Sequence, residues 1–231
     1  HCGFNINCGI PSKVFLTEGN GGERPFVDQI LEEGQTGIMD RGYQSHDGFD
    51  AFQDGKKHFV CRIKAKTTQT IIEKLPVEDG SYIFYDALVL LGIPGQNQTQ
   101  KPVRVVGYKI AGSKYYVATD RNDLTAEQIA TIYKLRWSIE GFFKWWKRHL
   151  KVYHLIARTE YGLMVQILGG LITYLLMAIY CREEYNEKVS IKRVRQLRTK
   201  ILNELFNGQD NPESVEDNNV KDQIKSADAR T

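Results

Sequence analysis

No two of the four cysteines, Cys2, Cys8, Cys61 and Cys181, stand in a C-x-x-C pair. That excludes a dithiol redox motif and a cysteine-based zinc ribbon. It leaves four reduced, mostly buried thiols suited to the cytoplasm. No signal peptide is expected from the residues at hand. The chain begins on His1 rather than Met, which reads as part of a longer polypeptide. Excess charge is small as well. A net +3 over 231 residues is too little for bulk electrostatics to announce a polyanionic partner, so that argument falls to local basic clusters. Tryptophan is confined to one stretch, as Trp137, Trp145 and Trp146. No segment repeats.

What is present reads as an α/β chain. Cys2–Ile6 and Val14–Thr17 are two short strands joined by a turn with Gly9 and Pro11. Pro25 opens a helix through Phe26, Ile30 and Leu31, and Gly34 ends it. Gly37-Ile38-Met39-Asp40 is a short buried strand with Asp40 at its carboxyl end, where α/β sheets place their sites. On local grounds alone the favoured reading of Asp40 is a turn former that bonds its own backbone. Ser45 caps a helix carrying Phe49 and Phe52, and His58–Ile63 is a further buried strand. From 64 to 118 the pattern is strand after strand: Thr70–Leu75, Tyr82–Leu91, Val103–Ile110 and Lys114–Thr119, with turns between. Asp120 follows the last of these and competes with Asp40 as a strand-end carboxylate.

The run TAEQIATIYKLRWSIEGFFKWWKRHLKV, residues 125–152, predicts one long helix. Thr125 and Gln128 form a capping box, and Leu124 and Ile129 a hydrophobic staple. Leu135, Ile139, Phe142, Phe143, Trp146 and Leu150 share an apolar arc. On a continuous helix Tyr133, Arg136, Glu140 and Lys147 fall within a sector of roughly 60°. Taken singly, Arg136 and Glu140 are an ordinary i,i+4 pair. Four such residues in one sector form a carboxylate flanked by a phenol, a guanidinium and an ammonium. Residues 161–181 carry no charge. They are long enough for a membrane span, but the expectation is a helix buried against the sheet. Ser190–Phe206 is an amphipathic helix with Lys192, Arg193, Arg195 and Arg198 on one side, a solvated face or a phosphate contact. Residues 207–231 read as a disordered tail.

The spacing Y-x-x-R-x-x-x-E-x(6)-K at Tyr133, Arg136, Glu140 and Lys147 resembles the signature helix of DDE transposases of the insertion sequence 4 family. Asp40-Arg41-Gly42-Tyr43 resembles that family's second-aspartate motif, and the similarity runs in register to about residue 182. The resemblance implies a ribonuclease-H-like catalytic core, with residues 1–63 its first part and 119–206 its C-terminal helices. It implies that 64–118 is an all-β insertion before the signature helix. Some relatives flip a base onto a tryptophan there. This stretch has none, so Tyr82, Phe84, Tyr85, Tyr115 and Tyr116 are the available rings.

Phosphodiester hydrolysis at neutral pH needs an activated oxygen nucleophile and neutralisation of developing charge, which two divalent ions about 3.5–4 Å apart supply. Hard ions such as Mg²⁺, or Mn²⁺, take carboxylate oxygens. The resemblance makes Asp40 and Glu140 the second and third metal ligands. It assigns Tyr133, Arg136 and Lys147 to the transposon-end backbone. Lys144, Arg148 and Lys151 extend the basic surface, as phosphate contacts or as solvated charges. The implied reaction frees a 3′-hydroxyl and transfers it into target DNA, in a DNA-associated homodimer in the bacterial cytoplasm. The family's first aspartate is expected on a strand preceding His1, so this chain alone is expected not to cut DNA. Two other readings stand beside this one: a non-catalytic DNA-binding protein reusing the basic helix, and a membrane protein anchored by 161–181.

Overall fold

The computed structural model describes residues 1–15, 17, 22, 24–149 and 156–207. Two compact units emerge, residues 1–176 and 177–231.

The first unit opens on an antiparallel hairpin, β1 (Cys2–Asn5) and β2 (Ile10–Val14). The second strand starts four residues earlier than the sequence suggested, and Pro11 lies inside it opposite Phe4. The Asn5 side chain explains the shift. It accepts from the backbone N–H of Asn7 and Cys8, closing the turn early, and an edge strand tolerates proline. Helix α1 (Arg24–Ile30) follows, then β3 (Thr36–Met39). A single 3₁₀ turn (Arg41–Tyr43) comes next, then α2 (His46–Asp54), capped by Ser45 as expected. Strand β4 (His58–Arg62) runs parallel to β3.

Strands β5 (Gln69–Lys74), β6 (Ile83–Leu91), β7 (Val103–Ile110) and β8 (Ser113–Thr119) then extend the same sheet. The six strands run in the order β3-β4-β8-β7-β6-β5. Strand β8 returns antiparallel onto β4, so the residues after β4 share one sheet and one core with those before it. The β7–β8 hairpin is closed by the two residues Ala111 and Gly112, both at positive φ, the turn that matches strand twist.

Both faces of the sheet are covered. On one, Phe49 and Phe52 of α2 pack on Phe59, Cys61, Val89 and Val105. On the other, Ala126, Ile129, Ala130 and Tyr133 of α3 (Ala126–Lys134) pack on Val60, Val106, Tyr108 and Val117. The capping box at Thr125 and Gln128 is formed.

The long helix expected over 125–152 is broken. It stops at Lys134 and restarts at Trp137 as α4 (Trp137–His149). Through the joint the backbone bonds run i to i−3: Leu135 N to Ile132 O, Arg136 N to Tyr133 O, Ser138 N to Leu135 O and Ile139 N to Arg136 O. This is a 3₁₀ link, winding roughly 20° more per residue than an α-helix. The cause is packing. Helix α3 lies on the sheet, whereas α4 packs Phe142 on Phe4 of the hairpin and on Tyr174. Leu135, expected in the core, is at the joint and exposed. Leu150 and Lys151 lie outside the described residues.

Helix α5 (Glu160–Tyr185) does not match the expected helix buried against the sheet. Only 17% of its most apolar stretch is buried. Leu171 and Tyr174 are buried, and the Tyr174 hydroxyl donates to Gly9 O, whereas Val165, Leu168, Ile172 and Leu176 are exposed. It is apolar all round, and the described residues cover one stripe. It is long and apolar enough to cross a membrane by length and composition. In the second unit, α6 (Ile191–Asn207) leaves Ile201 and Leu205 of its expected stripe exposed, and Arg193 stacks on Tyr185 and pairs with Glu187. The expected tail beyond Asn207 lies outside the described residues.

One polar pair sits inside the sheet. Arg104 of β7 donates two N–H groups to Asp86 of β6, at 2.9 and 2.7 Å, and a third to Leu124 O at 2.6 Å. Both side chains are over 90% buried. Removing one partner of such a pair leaves a buried, uncompensated charge. Asp86→Ala is therefore expected to lower stability by about 3–5 kcal/mol, read as a fall in the urea midpoint. Asp86→Leu with Arg104→Met is expected to recover much of the loss.

Candidate active site

Asp40 ends β3, and its exposed carboxylate is held by its own turn: Gly42 N–H donates to Oδ1 at 2.7 Å. The turn-forming role read from sequence is therefore real, and one oxygen keeps its outward lone pairs. The β3–β4 register pairs Met39 with Cys61. One residue on, it sets Asp40 beside Arg62. By the period-2 rule Ile38, Asp40, Val60 and Arg62 share the α3 face.

Tyr133 arrives at this end from above. It is buried at the last turn of α3, and the Tyr108 and Tyr115 rings stack nearby. Burial pushes its phenol above the ordinary value, opposed by the neighbouring Arg136 and Arg62 charges and reinforced by Asp40. The phenol is thus held neutral, a hydrogen-bond donor among charges. Arg62 lies 4.7 Å above the Tyr115 ring.

Arg136 sits at the 3₁₀ joint between the Tyr133 and Trp137 rings, 5.9 and 5.3 Å from their centroids. It donates to Glu140 Oε1 at 2.5 Å. Burial works against its charge, but the bond to Glu140 and the adjoining Tyr133 hold its pKa above the ordinary value. Among the described residues the buried Arg136 Nε has no hydrogen-bond partner, so the guanidinium keeps a donor in reserve. The structure thus links Asp40, Tyr133, Arg136 and Glu140 in one electrostatic chain. The common 60° sector does not survive: the 3₁₀ link turns Tyr133 into the sheet interface, while Glu140 is exposed. Lys144, Lys147 and Arg148 are exposed further along α4.

Asp120 is removed from this site. Strand β8 is antiparallel to β4, which carries Asp120 to the amino ends of β3 and β4. There it accepts from His58 Nδ1 at 2.7 Å and from Phe59 N–H at 2.9 Å. Two groups were missed in the sequence. Arg62 could have been found from the alternation along β4, which repeats the Ile38–Asp40 pattern as Val60–Arg62. Arg24 had no local signal; its Nε donates to Gly42 O at 2.8 Å, on the Asp40 turn.

A hard divalent ion takes carboxylate oxygens, which Asp40 at the end of β3 and Glu140 on α4 both carry. Among the described residues no three His, Cys, Asp or Glu side chains converge, so Asp40 and Glu140 would need a third donor or water.

The sequence profile of the family described as Transposase DDE domain matches residues 1–176. Three curated relatives are named as transposases. One from Sinorhizobium fredii is 28% identical over 188 residues, 79% of this chain and 53% of the relative. One from Synechocystis, named for an insertion sequence element, is 29% identical over 188 residues, 77% and 51%. One from Geobacillus stearothermophilus, also named for an insertion sequence element, is 28% identical over 214 residues, 90% and 55%. The chain spans about half the length of the curated relatives it matches.

Cys61 gives a handle on the Asp40 strand end. Its Sγ is 3.4 Å from Asp40 O, and burial, then the Asp40 charge, push the thiol far up against the opposing Arg24. Burial also raises Cys2, to about 11. Because the thiolate is the reactive form, native protein at pH 8 is expected to alkylate at exposed Cys8 at least ~100-fold faster than at Cys61. Peptide mass spectrometry reads the ratio. Comparable rates would mean that the strand end opens freely.

Proposed function

The chain belongs to the transposase DDE domain family, and from that premise we propose that it forms part of the catalytic core of a DNA transposase. What supports this reading is that Asp40 and Arg62 end neighbouring strands beside Tyr133 and Arg136, with Glu140 bonded to Arg136. The mixed sheet with helices on both faces agrees with a ribonuclease-H-like core, in which β5–β8 are an insertion that extends the sheet. Asp40 and Glu140 are two metal ligands.

The family works with divalent metal ions. A bound pair of Mg²⁺ or Mn²⁺ supplies an activated oxygen nucleophile and offsets charge on the phosphate. The chain's own groups do the rest. Arg136 offers a planar fork to a phosphate, and Lys147 a point charge. Tyr133 donates its phenol proton in a hydrogen bond without ionising. Lys144 and Arg148 follow the duplex along α4. The products are a free 3′-hydroxyl at the transposon end and, in a homodimeric synaptic complex, its transfer into target DNA. The place of work is the DNA of a bacterial cytoplasm.

The test reads metal and DNA separately. Fe²⁺ substituted for Mg²⁺, with ascorbate and peroxide, is expected to cut the polypeptide near Asp40 and Glu140. Asp40→Asn or Glu140→Gln is expected to abolish those cuts. Glu140→Gln should keep duplex affinity, whereas Arg136→Ala should lose about tenfold, the worth of one charged hydrogen bond. Cleavage unaffected by both carboxylate variants, with DNA binding intact, would favour the non-catalytic DNA-binding reading instead.

A further inference from the structure

Beside the Asp40 turn, on the side away from α3, lies a polar cavity of about 260 Å³. Arg24, Arg41 and Lys64 bring three cations to it, and Asp47 is its one carboxylate. Among the described residues neither Arg41 nor Lys64 has an acidic partner for its side chain, in contrast to Lys13, Lys56, Lys57 and Lys101, which are all ion-paired. His46 also lines the cavity. Its Nδ1 lies 2.6 Å from Asn97 O, and its Nε2 lies 3.3 Å from the Gln44 amide nitrogen.

The walls are tied together before any ligand arrives. Gln44 accepts from Lys64 N–H at 2.9 Å and donates to Thr67 at 3.0 Å, locking the 41–46 turn to the loop after β4. The third wall is fixed by Gly92, at φ +106, where a Cβ would stand 2.3 Å from Asn97 O and 2.7 Å from His46 Nδ1. Only glycine lets that loop close on His46. The cavity is joined directly to the candidate metal ligand: Gly42 gives its N–H to the Asp40 carboxylate and takes the Arg24 Nε–H on its carbonyl.

We propose that this cavity is a phosphate subsite for the DNA strand, holding a backbone phosphodiester a short way along the strand from the bond at Asp40. Convergent unpaired cations on a rigid frame are what a phosphodiester requires. The size is below the roughly 300–1,000 Å³ of clefts that enclose small organic ligands, and its lining is polar. A tracked backbone fits that description. The inference rests on the transposase reading above and names a second place where the strand is gripped.

The test is the salt dependence of duplex binding by the 231-residue chain, followed by fluorescence anisotropy. Each phosphate neutralised contributes about 0.9 to the slope of log K against log[salt]. Arg41→Ala with Lys64→Ala is expected to flatten the slope by about 0.9 and weaken binding at low salt. A charge-matched control, Lys13→Ala with Lys56→Ala, is expected to leave it unchanged. An unchanged slope in the cavity variant, while the wild-type chain binds, overturns the subsite and spares the transposase reading. Equal flattening in both variants overturns it also, since only bulk charge would then be at work. No duplex binding by the wild-type chain overturns both.

Discussion

Arg104 is the fixture on which the site hangs. Its guanidinium joins two strands through Asp86 and gives its remaining bond to Leu124 O, one residue before the Thr125 cap. That bond sets where α3 starts, at the amino end of β4. Nine residues of helix then advance about 13 Å, and five residues of β4 advance about 16 Å. The two lengths nearly match, so a helix pinned at one end of the sheet delivers Tyr133 to the other, where Asp40 and Arg62 end their strands. An error of one residue at the cap would turn Tyr133 by about 100° and point it away from them. The surface ion pairs carry no such burden, since exposed pairs are worth about 0–1 kcal/mol each.

Much of this was legible in the sequence because local chemistry wrote it. Thr125 with Gln128, Ser45 before a helix, and Asp40 after a buried strand are signals spanning four or five residues, and each stands where it was read. The strands between residues 69 and 119 were legible for the same reason. Which strand each would pair with was not: the return of β8 onto β4 joins residues some 60 apart, and no turn residue records it. The break at Leu135 and Arg136 was invisible for a different reason. Neither residue is a helix breaker, and the apolar period continues through them. The helix divides because its halves pack on different surfaces, the sheet and the hairpin. Arg104 was silent too, since a charge that alternates correctly along a strand looks like any outward-facing residue until its partner is known.

The charges around Asp40 are uneven. Arg62 stands at one side of its turn, and Arg24, Arg41 and Lys64 at the other, with Arg136 across from it. At the opposite end of the strands, Asp120 and Asp123 are spent on local bonds to His58, Phe59 and Arg121. A carboxylate ringed by cations draws phosphate to itself only if something offsets its own charge. On the metal-ligand role proposed for Asp40, a bound cation would add to the offset that these arginines and Lys64 already provide.

The Arg136–Glu140 bond is the remaining step. It engages the carboxylate proposed as a metal ligand, and a strong bond there would work against that proposal. Glu140 is 44% exposed and Arg136 16%, so the pair is worth somewhat more than the ~0.3–0.5 kcal/mol of a fully exposed i,i+4 pair. Charge-assisted bonds from a guanidinium to phosphate, or from a carboxylate to a divalent ion, exceed that severalfold. The pair therefore holds both side chains in place at little cost and yields when either finds its stronger partner. Tyr133 and Trp137, flanking the guanidinium on two sides, keep Arg136 near its position as it lets go.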